Sequence, residues 1–175
     1  MLLYMEDIWG NPSSLYGVGQ RAAEALSDAR ERIAACIGAQ PREIYFTSGG
    51  SEADNQAIIS AARMGEKKGK KHIISTAFEH HAVLHTLNKL QKEGFEITLL
   101  DVGPLGTVTA RQVEDAIRTD TCLVTVMYAN NEIGSVLPIG EIGAVCEKKG
   151  VLFHTDAVQA AGHLPIDVAA QKIDL

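Results

Sequence analysis

A short apolar run closes on an acid and an amide at Val151-Leu152-Phe153-His154-Thr155-Asp156-Ala157-Val158-Gln159. Its β-rich start reads as a buried strand that delivers Asp156 and Gln159 to its carboxyl end, where open α/β sheets bind ligands. A carboxylate buried there needs a partner. The protonated nitrogen of a pyridine ring fits, because the anion keeps the positive charge that makes such a ring an electron sink. Asp156 then tunes a cofactor and Gln159 orients it. The plainer reading of the same stretch is an Asp that caps the next helix or turn.

A second stretch offers complementary chemistry. Ser48-Gly49-Gly50-Ser51-Glu52-Ala53-Asp54-Asn55 opens a helix, and glycines there let an anion approach backbone N–H groups that have no other acceptor. Gly49, Gly50 and Ser51 are the phosphate candidates. An ordinary turn with Ser51 as N-cap is the alternative, since the stretch is neither a P-loop nor a Gly-x-Gly-x-x-Gly fingerprint. In Glu79-His80-His81-Ala82-Val83, a histidine at the head of a helix can lay its flat ring on a flat cofactor, and His80 is better placed than His81. His81 and His85 are four apart, but no Glu follows His81 and no thiolate or carboxylate stands at ligand spacing, so no metal is expected. Ala129-Asn130-Asn131-Glu132-Ile133-Gly134 is a polar cluster at a strand end, either a plain loop or a ligand site.

The elements that must position these residues follow from periodicity. Gly10-Asn11-Pro12-Ser13-Ser14 signals a turn, after which Ala22, Ala23, Leu26, Ala29, Ile33 and Ile37 predict an amphipathic helix stopped by Gly38. Glu43–Thr47 reads as a strand running into the phosphate turn, and Ala57, Ile58, Ala61 and Ala62 mark the helix beyond it. Strands are expected at 72–76, 95–100, 123–128 and from 151. Helices are expected from the His80-His81 pair to about Lys92, from the Thr109/Gln112 capping box to about Arg118, and over 139–149 before Gly150. This alternation predicts a three-layer α/β fold with a mostly parallel sheet and right-handed crossovers.

Composition narrows the function classes. With 46% hydrophobic and 22% charged residues over 175 positions, the chain can bury a core and is not of the disordered kind. Its formal charge of −6 is spread over both signs without a basic face, which argues against nucleic acid. Glu66-Lys67-Lys68-Gly69-Lys70-Lys71 reads as a solvated loop. No apolar run reaches membrane-span length and the start lacks a signal-peptide pattern, so the expectation is a cytoplasmic protein without membrane contact. Cys36, Cys122 and Cys146 are an odd, scattered set with apolar flanks, expected to be buried free thiols without a nucleophilic role.

Taken in order, the Gly10–Ser14, Phe46–Asn55, Glu79–Val83, Ala129–Gly134 and His154–Gln159 stretches resemble the cysteine desulfurases of the NifS/IscS type. These are class V aminotransferase-like, fold-type I enzymes dependent on pyridoxal 5'-phosphate, and the likeness runs over nearly the whole chain. Order and content favour that branch over the SufS-like or kynureninase-like ones. The resemblance implies that Gly50 and Ser51 hold the cofactor phosphate and that His80 stacks on the ring, a catalytic as well as a binding role. It implies that Asp156 pairs with the ring nitrogen, that Gln159 bonds the ring hydroxyl, and that Asn131 lies near that hydroxyl and the substrate carboxylate. Ser51 stands where the family more often has Thr, and the hydroxyl is kept.

The implied activity converts L-cysteine to L-alanine and passes sulfur through an enzyme persulfide to an acceptor such as an iron–sulfur scaffold protein, in a homodimer. The family's cofactor-bearing lysine, in a Ser-x-His-Lys stretch, matches nothing up to Leu175. Neither do its sulfur-accepting loop cysteine, carboxylate-binding arginine, small C-terminal domain and N-terminal strand. Residues 1–175 are therefore expected to be part of the large pyridoxal phosphate-binding domain and inactive alone. The alternatives are another class V enzyme such as a selenocysteine lyase, or a non-catalytic interaction module with a weak phosphate site. A plain nucleotide-binding Rossmann domain is disfavoured by the missing glycine fingerprint.

Overall fold

The computed structural model describes residues 2–7 and 9–175, in two compact units that meet in the chain between Phe46 and Thr47. The first unit holds α1 (Leu2–Glu6), α2 (Gly17–Ile37) and a 3-10 turn at Pro41–Glu43. Gly38 ends α2 in the left-handed region at φ 69°, with its N–H on the Ala34 carbonyl, as the sequence signal requires. The strand expected at 43–47 is absent. Pro41 opens the 3-10 turn, which the Glu43 side chain closes by accepting the Gln40 N–H at 2.8 Å. The Ile44 carbonyl then accepts from Arg30 Nε at 3.2 Å, so a side chain takes the place of a neighbouring strand. Cys36 is exposed rather than buried, as is Ile33, and Ala34 is the buried apolar residue of α2.

The second unit alternates strands and helices: α3 (Gly50–Glu66), β1 (His72–Thr76), α4 (His81–Lys92), β2 (Glu96–Leu100), α5 (Ala110–Ala116), β3 (Thr121–Thr125), α6 (Ile139–Lys149) and β4 (Leu152–His154). The sheet order is β2-β1-β3-β4, every pair parallel. Period-2 alternation in the β1 and β3 runs sends Ile73 and Leu123 to one face, against Ile58, Ala61, Val83, Leu87 and Leu90 of α3 and α4. Ile74, Val124 and Phe153 take the other face, against Val113, Ile139, Ile142 and Cys146 of α5 and α6. The result is the expected three-layer arrangement with a core on each side of the sheet. A Cβ at Gly65 would lie 2.3 Å from the Cys122 Cβ, so glycine is what lets α3 settle directly on β3.

Two element ends differ from the periodicity. α5 stops at Ala116 because Ile117 turns extended and Arg118 is engaged elsewhere: its N–H donates to Thr121 Oγ1 and its guanidinium pairs with Asp120 and Glu96. β3 ends at Thr125, one residue after its last pairing with β1 at Ile74–Val124. Beyond that point Val126 and Tyr128 still donate to the carbonyls of His154 and Asp156. Asp174 and Leu175 lie along β4 in the bonding pattern of a parallel pair: Leu175 N–H reaches the Phe153 carbonyl, and Thr155 N–H reaches that of Leu175 at 3.1 Å.

The two edges of the sheet have different jobs. At the amino edge the buried His72 ring ties β1 to both neighbours, with Nδ1 2.8 Å from Thr121 Oγ1 and Nε2 2.8 Å from Thr98 Oγ1. At the carboxyl edge the chain leaves β1 for α4 on one face and leaves β3 for α6 on the other. Diverging connections at neighbouring strand ends open a crevice, the place where sheets of this kind hold ligands. Among the described residues, no helix is long and apolar enough to cross a membrane.

Candidate functional site

The crevice contains a cavity of ≈ 260 Å³ lined by Gly50, Ser51, His80, Asn131, Asp156 and Gln159, together with Asp54, Met127 and Val158. The first six are the candidates named from sequence, brought together from α3, the head of α4, and the segments after β3 and β4.

Each is positioned by local chemistry. Gly49 is the N-cap of α3, which leaves the N–H groups of Gly50 and Ser51 in the first turn without intrahelical acceptors. Ser51 is thus not the cap, and its side chain is exposed on the cavity side of that turn. The turn is instead fixed by Glu52, whose carboxylate accepts both the N–H and the hydroxyl of Ser48 at 2.6 Å, bonds that lower its pKa. A Cβ at Gly50 would come within 3.0 Å of Val158 Cγ2, a tight contact that glycine avoids.

His80 is the N-cap of α4, and its Nδ1 accepts the Ala82 N–H at 3.1 Å. In the neutral ring the proton is therefore on Nε2. His81 and His85 stand edge to face, 5.5 Å between centroids, but no set of three metal-ligating side chains occurs among the described residues. Asn131 is exposed in a loop turned by Asn130, whose Oδ1 accepts the N–H groups of Glu132 and Ile133. Asp156 Oδ1 accepts the Val158 N–H at 3.0 Å, a local turn of the kind the plainer reading expects, while the same side chain faces the cavity.

Behind the lining is a cluster of buried ionisable groups. Asp54 is four residues after Gly50, on the same face of α3, and is 5% exposed. His154 is two residues before Asp156 on the same side of the strand, and its Nε2 is 3.6 Å from Asp54 Oδ1. Its Nδ1 is 2.8 Å from Thr125 Oγ1. Burial first, and then the charge of Asp156, push the Asp54 carboxyl up to about 7. Burial pushes His154 down to about 4 against the pull of Asp156. The Asp54–His154 contact is therefore no ion pair at neutral pH, because the imidazole is neutral there. Burial also raises Glu79 to about 8, over the opposing hydrogen bonds from Thr76 and Met127, with Asp156 and Asp54 adding to the rise.

The fields of these groups are complementary in kind. N–H groups at a helix start favour an anion, while the carboxylate of Asp156 favours a cation. A ligand carrying a phosphate and a protonated ring nitrogen satisfies both. Asp54 and His154 were accessible to sequence reasoning through helical and strand spacing from Gly50 and Asp156. Met127 and Val158 were not, since nothing in an apolar residue type marks a cavity wall.

The model for class-V aminotransferases matches residues 1–175. The chain is 51% identical over 175 residues to a cysteine desulfurase IscS of Clostridium botulinum, covering all of this chain and 44% of that protein. It is 53% identical over 175 residues to a putative cysteine desulfurase IscS 1 of Bacillus subtilis, again covering all of this chain and 46% of that one. The chain thus spans less than half the length of these curated relatives. Among solved structures, SspA in complex with cysteine superposes with a TM-score of 0.94 at 41% identity, over 98% of this chain and 49% of that one. A structure titled NifS-like protein gives 0.93 at 35% identity, over 99% of this chain and 48% of the other. Solved fold-type I neighbours thus share the fold of this chain, and a family match running from the first residue to the last makes this chain a member of the class-V aminotransferase family.

Proposed function

We propose that the protein is a pyridoxal phosphate-dependent cysteine desulfurase of the NifS/IscS type. The observation that carries this reading is the convergence on one cavity of the open N–H groups of α3, the His80 ring and the Asp156 carboxylate. The donor set fits the cofactor. The Gly50 and Ser51 N–H groups and the Ser51 hydroxyl hold its phosphate, and Gly50 supplies the space that a Cβ would occupy. His80 would stack on the ring, Gln159 and Asn131 would bond its hydroxyl and the substrate carboxylate, and Asp156 would keep a proton on the ring nitrogen. When bound, the cofactor supplies an electron sink for the substrate's α-carbon. The Ala82 N–H fixes the His80 ring, and the Val158 N–H fixes Asp156, so neither has to reorganise on binding.

The overall conversion moves one sulfur atom from L-cysteine to a protein thiol, giving L-alanine and a persulfide with no external oxidant. The sulfur then passes to an acceptor such as an iron–sulfur scaffold protein. The cavity lining includes no lysine and no cysteine. Cys122 and Cys146 are buried and pushed up to about 11 and 12 by burial, so neither is a sulfur acceptor. Cys36 is exposed but is not among the residues lining the cavity. We assign the cofactor-bearing lysine and the accepting cysteine to segments outside residues 1–175, and expect these residues alone to be inactive. The same reading implies a cytoplasmic homodimer, and a second subunit would cover the exposed apolar side chains of Leu105 and Ile133.

The test is the reaction itself. A polypeptide that joins these residues to a lysine-bearing segment and small domain should give alanine and protein persulfide in equal amounts from L-cysteine plus pyridoxal phosphate. Residues 1–175 alone should give neither. Alanine formation by residues 1–175 alone contradicts the assignment of the machinery, and failure of the joined polypeptide to bind the cofactor contradicts the reading as a whole.

A further inference from the structure

The crevice is open because the backbones after β1 and β3 part company, and parted backbones have no ladder to hold their spacing. Two side chains replace that ladder, each reaching from one segment to the main chain of the other. Glu79, after β1, accepts the Met127 N–H of the β3 segment on Oε1 at 3.0 Å. Asn130, after β3, donates its Nδ2 to the Phe78 carbonyl of the β1 segment at 3.2 Å. Both are almost wholly buried, at 4% and 7% exposure. Each is also anchored in its own segment, Glu79 by the Thr76 hydroxyl and Asn130 by the N–H groups of Glu132 and Ile133.

The residues next in sequence are the ones that face the cavity: His80 follows Glu79, and Asn131 follows Asn130. We propose that Glu79 and Asn130 are positioning residues, a reciprocal clasp across the crevice that sets the separation of His80 and Asn131 and so the width of the ligand slot. Neither Glu79 nor Asn130 is among the residues that line the cavity. The chemistry of the clasp suits its place. A neutral Glu79 acid accepts the Thr76 and Met127 donors on one oxygen and leaves its buried Oε2, which has no partner among the described residues, to carry the proton. A carboxylate in that position faces Asp156 from the β4 segment and Asp54 from α3, and burial together with those two charges disfavours it. A glutamine reproduces the neutral form in size and acceptor geometry, whereas alanine opens the clasp.

The clasp's role in ligand binding rests on the cofactor reading above, but its existence does not, and the experiment separates the two. Amide hydrogen exchange on the cofactor-free protein compares wild type with Glu79→Ala, Asn130→Ala, the double variant and Glu79→Gln, followed by titration of each with pyridoxal phosphate. Glu79→Ala and Asn130→Ala should each speed exchange within residues 77–81 and 126–134 while the amides of β1 and β3 keep wild-type protection. Each should weaken cofactor affinity about ten-fold, the scale of one lost buried hydrogen bond. The double variant should lose little more than the worse single, because either opening releases the same spacing. Glu79→Gln should exchange and bind within about two-fold of wild type. Unchanged exchange in both alanine variants overturns the clasp, as does a Glu79→Gln variant as impaired as Glu79→Ala. Altered exchange with unchanged affinity overturns its positioning role. A wild type that takes up no pyridoxal phosphate overturns the cofactor reading, while the exchange results still decide whether the clasp exists.

Discussion

His154 Nε2 stands 3.6 Å from Asp54 Oδ1, and both side chains are shut away from solvent at the floor of the carboxyl edge. The pair looks like a salt bridge, but burial reverses the order of the two pKa values, Asp54 rising to about 7 and His154 falling to about 4. At neutral pH a neutral imidazole faces an acid near its midpoint. The negative charge that pushes Asp54 up is that of Asp156, the carboxylate open to the cavity.

Asp54 should make the protein less stable as pH rises. Its folded pKa lies above the ordinary value of 3.8, so its contribution is complete below about pH 4 and declines as pH rises to about 7. Asp54→Asn removes that decline. Urea unfolding of the variant at a series of pH values should show it gaining on wild type steadily from pH 4 to 7 and in parallel with it above. A constant difference across the range would contradict the pKa assignment.

His154 acts with the opposite sign. A histidine depressed from 6.5 to about 4 contributes fully above its ordinary pKa and loses that contribution as pH falls through the folded one. His154→Gln should therefore cost about 1–3 kcal/mol at neutral pH, through the lost Thr125 contact and the buried polar group, and regain ground on wild type between pH 6.5 and 4. Denaturant midpoints over that window decide it. An acid limb no shallower than that of wild type would show that His154 is not the group being titrated.

Much of this site was legible because its residues are polar in apolar settings. Asp156 ends a hydrophobic run, Gly49 and Gly50 interrupt a helix start, and His80 heads an amphipathic helix, so type and place carried the signal. The false strand at 43–47 came from Ile44, Tyr45 and Phe46, a good β pattern. Tyr45 and Phe46 are exposed, and the backbone bonds to Arg30 instead, because pairing depends on a neighbour that local pattern cannot see. Cys36 failed for a similar reason: periodicity gives a face to a helix but not what covers it. The clasp was invisible in sequence, since Glu79 and Asn130 are 51 residues apart and meet only through the sheet order β1-β3.

The histidine at the head of α4 serves as a cap and as a wall of the cavity, and the two roles are separable. Asn is a good N-cap, so His80→Asn should keep the Ala82 N–H satisfied and leave thermal stability near wild type while removing the ring. His80→Ala should lose about 0.5–2 kcal/mol in addition. Both should bind pyridoxal phosphate about ten-fold more weakly, by the loss of a stacking contact. Equal affinity of wild type and His80→Asn in an absorbance titration would remove His80 from the binding surface.

At the phosphate turn, Gly50→Val places a branched side chain against Val158 Cγ2, which already lies 3.0 Å from an ideal Cβ at this position. Affinity for pyridoxal phosphate should fall by more than about ten-fold, with a smaller loss for pyridoxal, which lacks the anion. Equal losses for the two ligands would mean that the valine disturbs the cavity generally and that this turn is no phosphate seat.

In the proposed site Asp156 holds a protonated ring nitrogen, and one experiment changes both partners of that contact. Wild type and Asp156→Asn are each titrated with pyridoxal phosphate and with its 1-deaza analogue, in which a carbon–hydrogen replaces the ring nitrogen. The asparagine keeps an acceptor for the Val158 N–H, so the local turn survives. Wild type should prefer the natural cofactor by about ten-fold or more, the scale of a charge-assisted hydrogen bond, and Asp156→Asn should lose most of that preference. A wild type indifferent to the ring nitrogen, or a variant that discriminates as strongly as wild type, would contradict the assignment.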